Sequence, residues 1–203
     1  MCPLIVDKEE KRDLIVQAAL KVFAEKGLSN ATIRDIALEA GIGKGTVYEY
    51  FKDKEEIIHN SFFYFQKIFQ FDMEEILLSK EKGIEKLKQL IRVFVKVNQG
   101  ENSEYMELVF DFWAQGIKGH SKGLMLAEMK KFYSGYRKVF AEIISEGILD
   151  GSIRNDTGPS AMASLLVGML DGIMVQWIFD RESICIEAIE KNIGNLIING
   201  IAQ

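Results

Sequence analysis

The sequence predicts an all-α fold. Apolar residues recur every three to four positions along most of the chain, which is the spacing of one face of a helix. Only two prolines occur in 203 residues and 48% of the residues are hydrophobic, so long helices around a sizeable core are favoured over disorder. Two short helices joined by a glycine-containing turn add a helix-turn-helix near the N-terminus.

The first helix is predicted from about Glu9 to Lys26, because Ile15, Val22 and Phe23 belong to one apolar stripe. Gly27 ends this helix. Its expected role is to brace the helix-turn-helix, which completes a three-helix head.

The helix-turn-helix is predicted from its end signals. Thr32 and Asp35 form a capping box at the start of a short helix, and Gly41 can adopt the positive φ that ends it. A second short helix begins at Lys44 and turns Val47 back onto the first. In this motif the second helix can enter the major groove of DNA.

Longer helices follow the head. A helix capped at Asp53 continues to about Leu78, and the apolar pattern predicts further helices through residues 84–95, 105–113, 121–146 and 159–177 and after residue 183. The Asp150–Gly151 pair predicts a turn between two of them. The predicted boundary separates a head of residues 1–52 from a helical domain of residues 53–203.

Bulk properties narrow the class of protein. No apolar run approaches about 18 residues, so no membrane span is predicted. The start MCPLIVDKEEKRD lacks the basic residues and apolar core of a signal peptide, which predicts a cytoplasmic protein. Cys2, His59, His120 and Cys185 lack the short spacings of metal ligands, so neither a metal site nor a cofactor is expected.

Charge alone does not indicate a nucleic-acid binder. The chain carries a net charge of −5, and residues 1–55 hold nine Lys/Arg and ten Asp/Glu. Local placement matters more, because Arg34, Lys44, Lys52 and Lys54 cluster on the motif.

Three segments between Lys11 and Ile58 carry a specific resemblance: TIRDIA, AGIGKGTVY and YFKDKEE. Together with the helix before them they resemble the DNA-binding domain of TetR-family transcriptional regulators. Two positions depart from the family pattern. Gly43 stands where Ser is common and so removes a hydroxyl, and Glu49 stands where His or Tyr is frequent and so places an acid near a polyanion.

The resemblance implies a homodimer that binds double-stranded operator DNA and represses transcription until a small effector binds. The implied DNA contacts lie on and around the second helix of the motif: Thr32, Arg34, Gly43, Lys44, Gly45, Thr46, Tyr48, Tyr50 and Lys54. Among these, Thr46, Tyr48 and Lys54 are the leading candidates.

The resemblance also implies an effector cavity between the middle helices, and their wealth of aromatic and Met residues suits an apolar, aromatic or amphipathic ligand. The candidate lining residues are Phe62, Phe65, Phe69, Met106, Phe110, Trp113, Met129, Phe132, Tyr133 and Tyr136. Glu104, Glu107 and Asp111 either answer a cationic group of the ligand or form a solvated face.

The last two helices are predicted to form a four-helix dimer interface. The helix from Pro159 is apolar on more than one face, so a single neighbouring helix cannot cover it. Asp171 interrupts this run and is expected at its rim or hydrogen-bonded. The candidate interface residues are Leu165, Gly168, Met169, Gly172, Ile189, Ile193, Leu196 and Ile197.

Two alternatives stay open. Gly119–Gly123 matches the G-x-S-x-G pattern of a serine hydrolase with Ser121 as nucleophile, but the segment before it is helical and that motif requires a strand. The second alternative is a dimeric ligand-binding protein whose head does not bind DNA, which Gly43, Glu49 and the nearly neutral head keep open.

Overall fold

The computed structural model describes residues 8–99, 107–118, 122–195 and 199–202, without the side chains of residues 65, 68–72, 94–99 and 122. These residues form helices, which confirms the all-α prediction. The helices are α1 (Lys8–Asn30), α2 (Ile33–Glu39), α3 (Lys44–Tyr50), α4 (Lys54–Leu78), α5 (Gly83–Gln99), α6 (Leu108–Lys118), α7 (Lys122–Leu149), α8 (Pro159–Phe179), α9 (Ile186–Ile193) and the short α10 (Asn199–Ile201).

The first helix differs from its prediction at its end. Gly27 breaks the helical geometry with φ 76° and ψ 155°, as its position predicts, but a further turn carries the chain to Asn30. A positive φ is readily adopted by glycine and strains other residues. The chain therefore makes a sharp corner between α1 and α2.

The described residues divide into two compact units. The first contains α1 to α3, α4 up to Ile68, α6, and α7 up to Ala127. The second contains the remainder of α4 and α7 together with α5 and α8 to α10. The sequence places the head before residue 53, whereas the packing also includes half of α4 and all of α6 in the unit that holds the helix-turn-helix.

The core of the first unit lies beneath the helix-turn-helix. Ile15 and Phe23 of α1, Ile36 of α2 and Val47 of α3 have no exposed surface, and α1 packs against both α2 and α6. Burying such side chains contributes roughly 1.5–3 kcal/mol each. These contacts hold the short α2 and α3, which are too short to be stable alone.

In the second unit two backbones pack closely where α5 begins. A Cβ atom added at Gly83 would overlap the backbone of Gly147 in α7, so only glycine allows this contact. The Gly83 amide also donates to the Asp150 carboxylate at 2.8 Å. Hydrogen bonds from Ser152 and Gly83 outweigh the effect of burial and lower the pKa of Asp150.

A buried lysine joins three helices of the second unit. Lys86 is 5% exposed, and its Nζ donates to the Leu77 carbonyl at 2.8 Å and to the Glu146 carboxylate at 2.7 Å. The carbonyl belongs to the last turn of α4, where backbone acceptors lack helical partners. Lys86 of α5 therefore ties the end of α4 to the end of α7.

Helix α8 corrects the expectation that no segment is long and apolar enough to span a membrane. It is long and apolar enough to cross a membrane by length and composition, with mean hydropathy 1.6, and 33% of that window is buried. The core helix of a soluble protein passes the same test, so this is weak evidence for a membrane. Much of the apolar surface of α8 is therefore left uncovered within one chain.

Candidate nucleic-acid interface and regulatory region

The start of α2 is held by the predicted capping box. Thr32 Oγ1 accepts from the Asp35 amide at 3.2 Å, and the Asp35 carboxylate accepts from the Thr32 amide at 3.0 Å and the Thr32 hydroxyl at 2.6 Å. Lys26 contacts the same carboxylate at 2.7 Å. The Lys26 ammonium and then the Thr32 hydroxyl lower the pKa of Asp35 to about 2. The Thr32 hydroxyl therefore donates its proton to Asp35 within the capping box.

The turn between α2 and α3 depends on Gly41, whose φ is 65°. Gly43 follows as the N-cap of α3 with extended backbone and no side-chain capping bond. A Cβ added at Gly43 would lie 3.9 Å from Thr46 Oγ1, so the position has room for a serine. The family departure at Gly43 is therefore not a steric requirement.

Helix α3 itself holds five of the nine implied DNA contacts: Lys44, Gly45, Thr46, Tyr48 and Tyr50. Val47 is completely buried, whereas Lys44 and Gly45 are exposed, Thr46 is half-buried and Tyr48 is 48% exposed. The Lys44 ammonium lies 5.8 Å from the centre of the Tyr48 ring. Arg34 of α2 is also exposed. Lys44 and Tyr48 therefore lie side by side on the exposed part of α3.

Arg12 supports this surface from beneath, and the sequence does not single it out. It donates to the Tyr50 carbonyl at 2.6 Å and to Asn60 at 3.3 Å, and its guanidinium lies 4.4 Å from the centre of the Phe51 ring. An ion pair of 3.5 Å joins it to Glu56. The carbonyl at the end of α3 is thereby paired, and Tyr50 itself is half-buried.

Lys54 requires a correction. Its ammonium donates to the carbonyls of Leu28, Ser29 and Ala31 at 2.9, 3.1 and 3.0 Å. A lysine has three N–H donors, and these three bonds use all of them. Lys54 therefore holds the corner between α1 and α2 and offers no free donor to a phosphate, contrary to the implied role.

Asp111 of α6 binds the same corner. Its Oδ2 accepts from the Leu28 amide at 3.0 Å. A Cβ added at Gly27 would lie 3.6 Å from this oxygen, so the corner passes close to the carboxylate. The sequence offered two roles for Asp111, a contact with the ligand or a place on a solvated face, and the observed role is neither of them. Asp111 accepts a backbone hydrogen bond that the break at Gly27 leaves available.

The predicted effector-binding residues of the first unit are Phe62, Phe110 and Trp113. Phe62 is buried, and its ring lies 5.2 Å from that of Phe112 between centroids. Phe110 and Trp113 are half-buried neighbours at 5.6 Å. The Phe65 and Phe69 side chains and Met106 lie outside the described residues.

The predicted effector-binding residues of the second unit lie on α7. Met129 is buried, and the Phe132 ring lies 5.4 Å from that of Tyr133 and 5.1 Å from that of Tyr136. The Tyr133 hydroxyl donates to Asp171 of α8, as the expectation of a hydrogen-bonded Asp171 requires. Burial nevertheless raises the pKa of Asp171 to about 6.

In the described part of the chain, each of the two units contains a cavity. A cavity of about 290 Å³ lies between the start of α4, α6 and α7 and is lined in part by Ile58, His59 and Met125. A groove of about 440 Å³ lies between α5 and α9, beside Arg92 and Lys191. None of the predicted effector-binding residues whose side chains the structure describes lines either one, so the predicted effector cavity remains a prediction.

The predicted dimer residues differ in how much of each is exposed in a single chain. Leu165 is 67% exposed, and a Cβ added at Gly168 or Gly172 would meet nothing within 4 Å. Met169 and Ile189 are half-buried. Ile193 is a correction, because it is buried within its own chain and offers little surface to a partner. Leu196 and Ile197 lie outside the described residues.

The hydrolase alternative falls on residues outside the description, since His120 and Ser121 belong to 119–121. The segment before them is helix α6 (Leu108–Lys118). A nucleophile elbow requires a strand at that place. Nothing in the described neighbourhood favours this alternative.

Comparison with known proteins finds matches over both parts of the chain. Residues 15–60 match the family of bacterial regulatory proteins of the tetR type. Residues 83–197 match the C-terminal domain of BetI-type transcriptional repressors. The second match alone covers more than half of the chain.

Individual relatives span nearly the whole length. The fatty acid metabolism regulator protein of Bacillus subtilis is 26% identical over 196 residues, covering 96% of this chain and 97% of that protein. The crystal structure of FadR from Bacillus subtilis in complex with stearoyl-CoA has a TM-score of 0.79 at 25% identity, covering 93% and 98% of the two chains.

A third structure shares the fold. A transcriptional regulator from Saccharomonospora viridis, crystallised with choline, has a TM-score of 0.84 at 19% identity and covers 96% of this chain and 99% of that one. The helix-turn-helix, its exposed outer face and both family matches lead to one conclusion. The chain belongs to the TetR family of DNA-binding transcriptional regulators.

Proposed function

We propose that the protein is a homodimeric repressor that binds a palindromic operator through α3 and leaves it when an amphipathic small molecule binds. The observation that carries this proposal is the outer face of α3. Lys44 and Tyr48 of this helix are exposed, while Val47 and Arg12 anchor the helix from the other side. Such a repressor acts on chromosomal DNA, so the proposed location is the cytoplasm.

The proposed effector class is an amphipath with a long apolar chain, and acyl thioesters are the first class to test. Two features support this choice. The middle helices are rich in aromatic and Met side chains, and the relatives at 25–26% identity include a fatty acid regulator and a structure with stearoyl-CoA. The mechanism is linkage, in which effector and operator weaken each other's binding by the same factor.

The proposed dimer buries the uncovered side of α8. Leu165, Gly168 and Gly172 recur at helical spacing on that side, and the glycines would let a partner helix approach closely. A two-fold interface is self-complementary and sets two recognition helices about 34–36 Å apart, one turn of DNA.

Selection of bound sequences from random DNA tests the function directly. We expect a palindrome whose two half-sites are centred one helical turn apart, and log affinity that falls linearly with log salt. Absence of any selected sequence at low salt would contradict the repressor and favour a ligand-binding protein with an inactive head.

Lys54→Ala and Lys44→Ala distinguish a lysine that binds carbonyls within the head from a lysine that contacts a DNA phosphate. Lys54→Ala should lower the free energy of unfolding by about 2 kcal/mol, because a charged donor to three carbonyls is lost. It should weaken operator binding without changing the salt slope. Lys44→Ala should leave stability unchanged and reduce the slope by about one. A slope change for Lys54→Ala at unchanged stability would restore its phosphate role.

Stearoyl-CoA tests the effector class by fluorescence polarisation of labelled operator. Saturating ligand should lower operator affinity by roughly 5- to 150-fold, the usual range of coupling. Coenzyme A alone and stearate alone are the controls, because each carries only one part of the amphipath. Unchanged affinity with stearoyl-CoA would exclude this thioester as effector while leaving the operator result intact.

The double variant Gly168→Arg with Gly172→Arg tests the interface on α8. Two charged side chains on the proposed contact should yield monomers in sedimentation and weaken operator binding by roughly 100-fold, because linked half-site binding is lost. Gly135→Arg is the matched control, since Gly135 of α7 also has open space around it. A double variant that stays dimeric and binds the operator normally would place the interface elsewhere.

A further inference from the structure

The face of α3 opposite the core is formed by Gly45 and Glu49. Val47 has no exposed surface and points into the head. A helix turns about 100° per residue, so residues two positions before and after Val47 point nearly the opposite way. Gly45 has nothing within 4 Å of an added Cβ, and Glu49 is exposed. Glu49 is therefore the long side chain at the centre of the outer face.

Glu49 has no structural task within the part of the chain that the structure describes. Asp35 caps α2, Glu39 pairs with Lys21 at 3.4 Å, and Glu56 accepts from the Lys52 amide at 2.8 Å. No such hydrogen bond or ion pair holds the Glu49 carboxylate among the described residues. It also lies in the last turn of α3, where the helix dipole disfavours an acid. Its position therefore costs helix stability and, near phosphates, affinity.

A carboxylate on this face can select only one kind of base edge. It accepts hydrogen bonds and donates none. In the major groove guanine presents two acceptors, thymine an acceptor and a methyl group, and adenine a donor beside an acceptor. Cytosine alone presents its N4 amino donor without a neighbouring acceptor. Cytosine is therefore the base that a carboxylate contacts with least repulsion.

We propose that Glu49 is a specificity-determining residue that accepts a hydrogen bond from the N4 amino group of one cytosine in each operator half-site. This inference rests on the proposed function, because it requires α3 to enter the major groove. It gives the acid a positive role in an interface that otherwise attracts anions. Glu49 lowers binding to every other sequence through repulsion and offsets this at its own site through the hydrogen bond.

Sequence selection with Glu49→Gln and Glu49→Ala tests the inference. Wild type should prefer cytosine at one position of each half-site, by roughly tenfold over the other bases. Glu49→Ala should lose that preference and keep the others. Glu49→Gln should move it to adenine, because a glutamine amide both donates to N7 and accepts from N6.

Glu25→Gln is the control, since Glu25 is an exposed acid of α1 and its loss changes the net charge equally. It should raise non-specific affinity at low salt as the Glu49 variants do, with an unchanged base profile. A wild-type operator whose base profile is the same in both Glu49 variants would overturn this inference alone. Failure of wild type to select any DNA would overturn the proposed function together with it.

Discussion

The corner after Gly27 is the contact on which the head depends. The positive φ of Gly27 ends the regular part of α1 and leaves backbone groups of the next residues without helical partners. Leu28 then donates its amide to Asp111, while its carbonyl accepts from Lys54. Pairing each of these groups avoids a desolvation cost of about 1–3 kcal/mol. The path from α1 into α2 is thereby fixed against both α4 and α6.

This corner explains how two helices of seven residues hold a defined surface. The capping box of Thr32 and Asp35 starts α2 directly after the corner, and Val47 anchors α3 in the core. Arg12 pairs the carbonyl at the end of α3. These stabilising contacts use other side chains, which leaves Lys44, Tyr48 and Glu49 available on the outside.

In the second unit, close backbone contact fixes the helix ends to one another. Gly83 admits the backbone of Gly147, and the buried Lys86 pairs the free carbonyl of Leu77. Packing is therefore tight where α4, α5 and α7 meet. The opposite situation holds on α8, where Leu165 stays exposed. The second unit is therefore tightly packed around the start of α5, whereas within a single chain the apolar side of α8 that holds Leu165 stays uncovered.

Local features of the sequence determined the all-α class, the helix-turn-helix and the outward side chains of α3, because caps, glycine turns and helical spacing act within a few residues. Tertiary structure alone decided what Arg12, Lys54 and Asp111 do. Their backbone partners lie far along the chain: Asp111 is 83 positions from Leu28, and Lys54 is 23 to 26 positions from its three carbonyls. No local pattern encodes such a pairing. A lysine in a DNA-binding motif looks free for phosphate until the fold brings unpaired carbonyls to it.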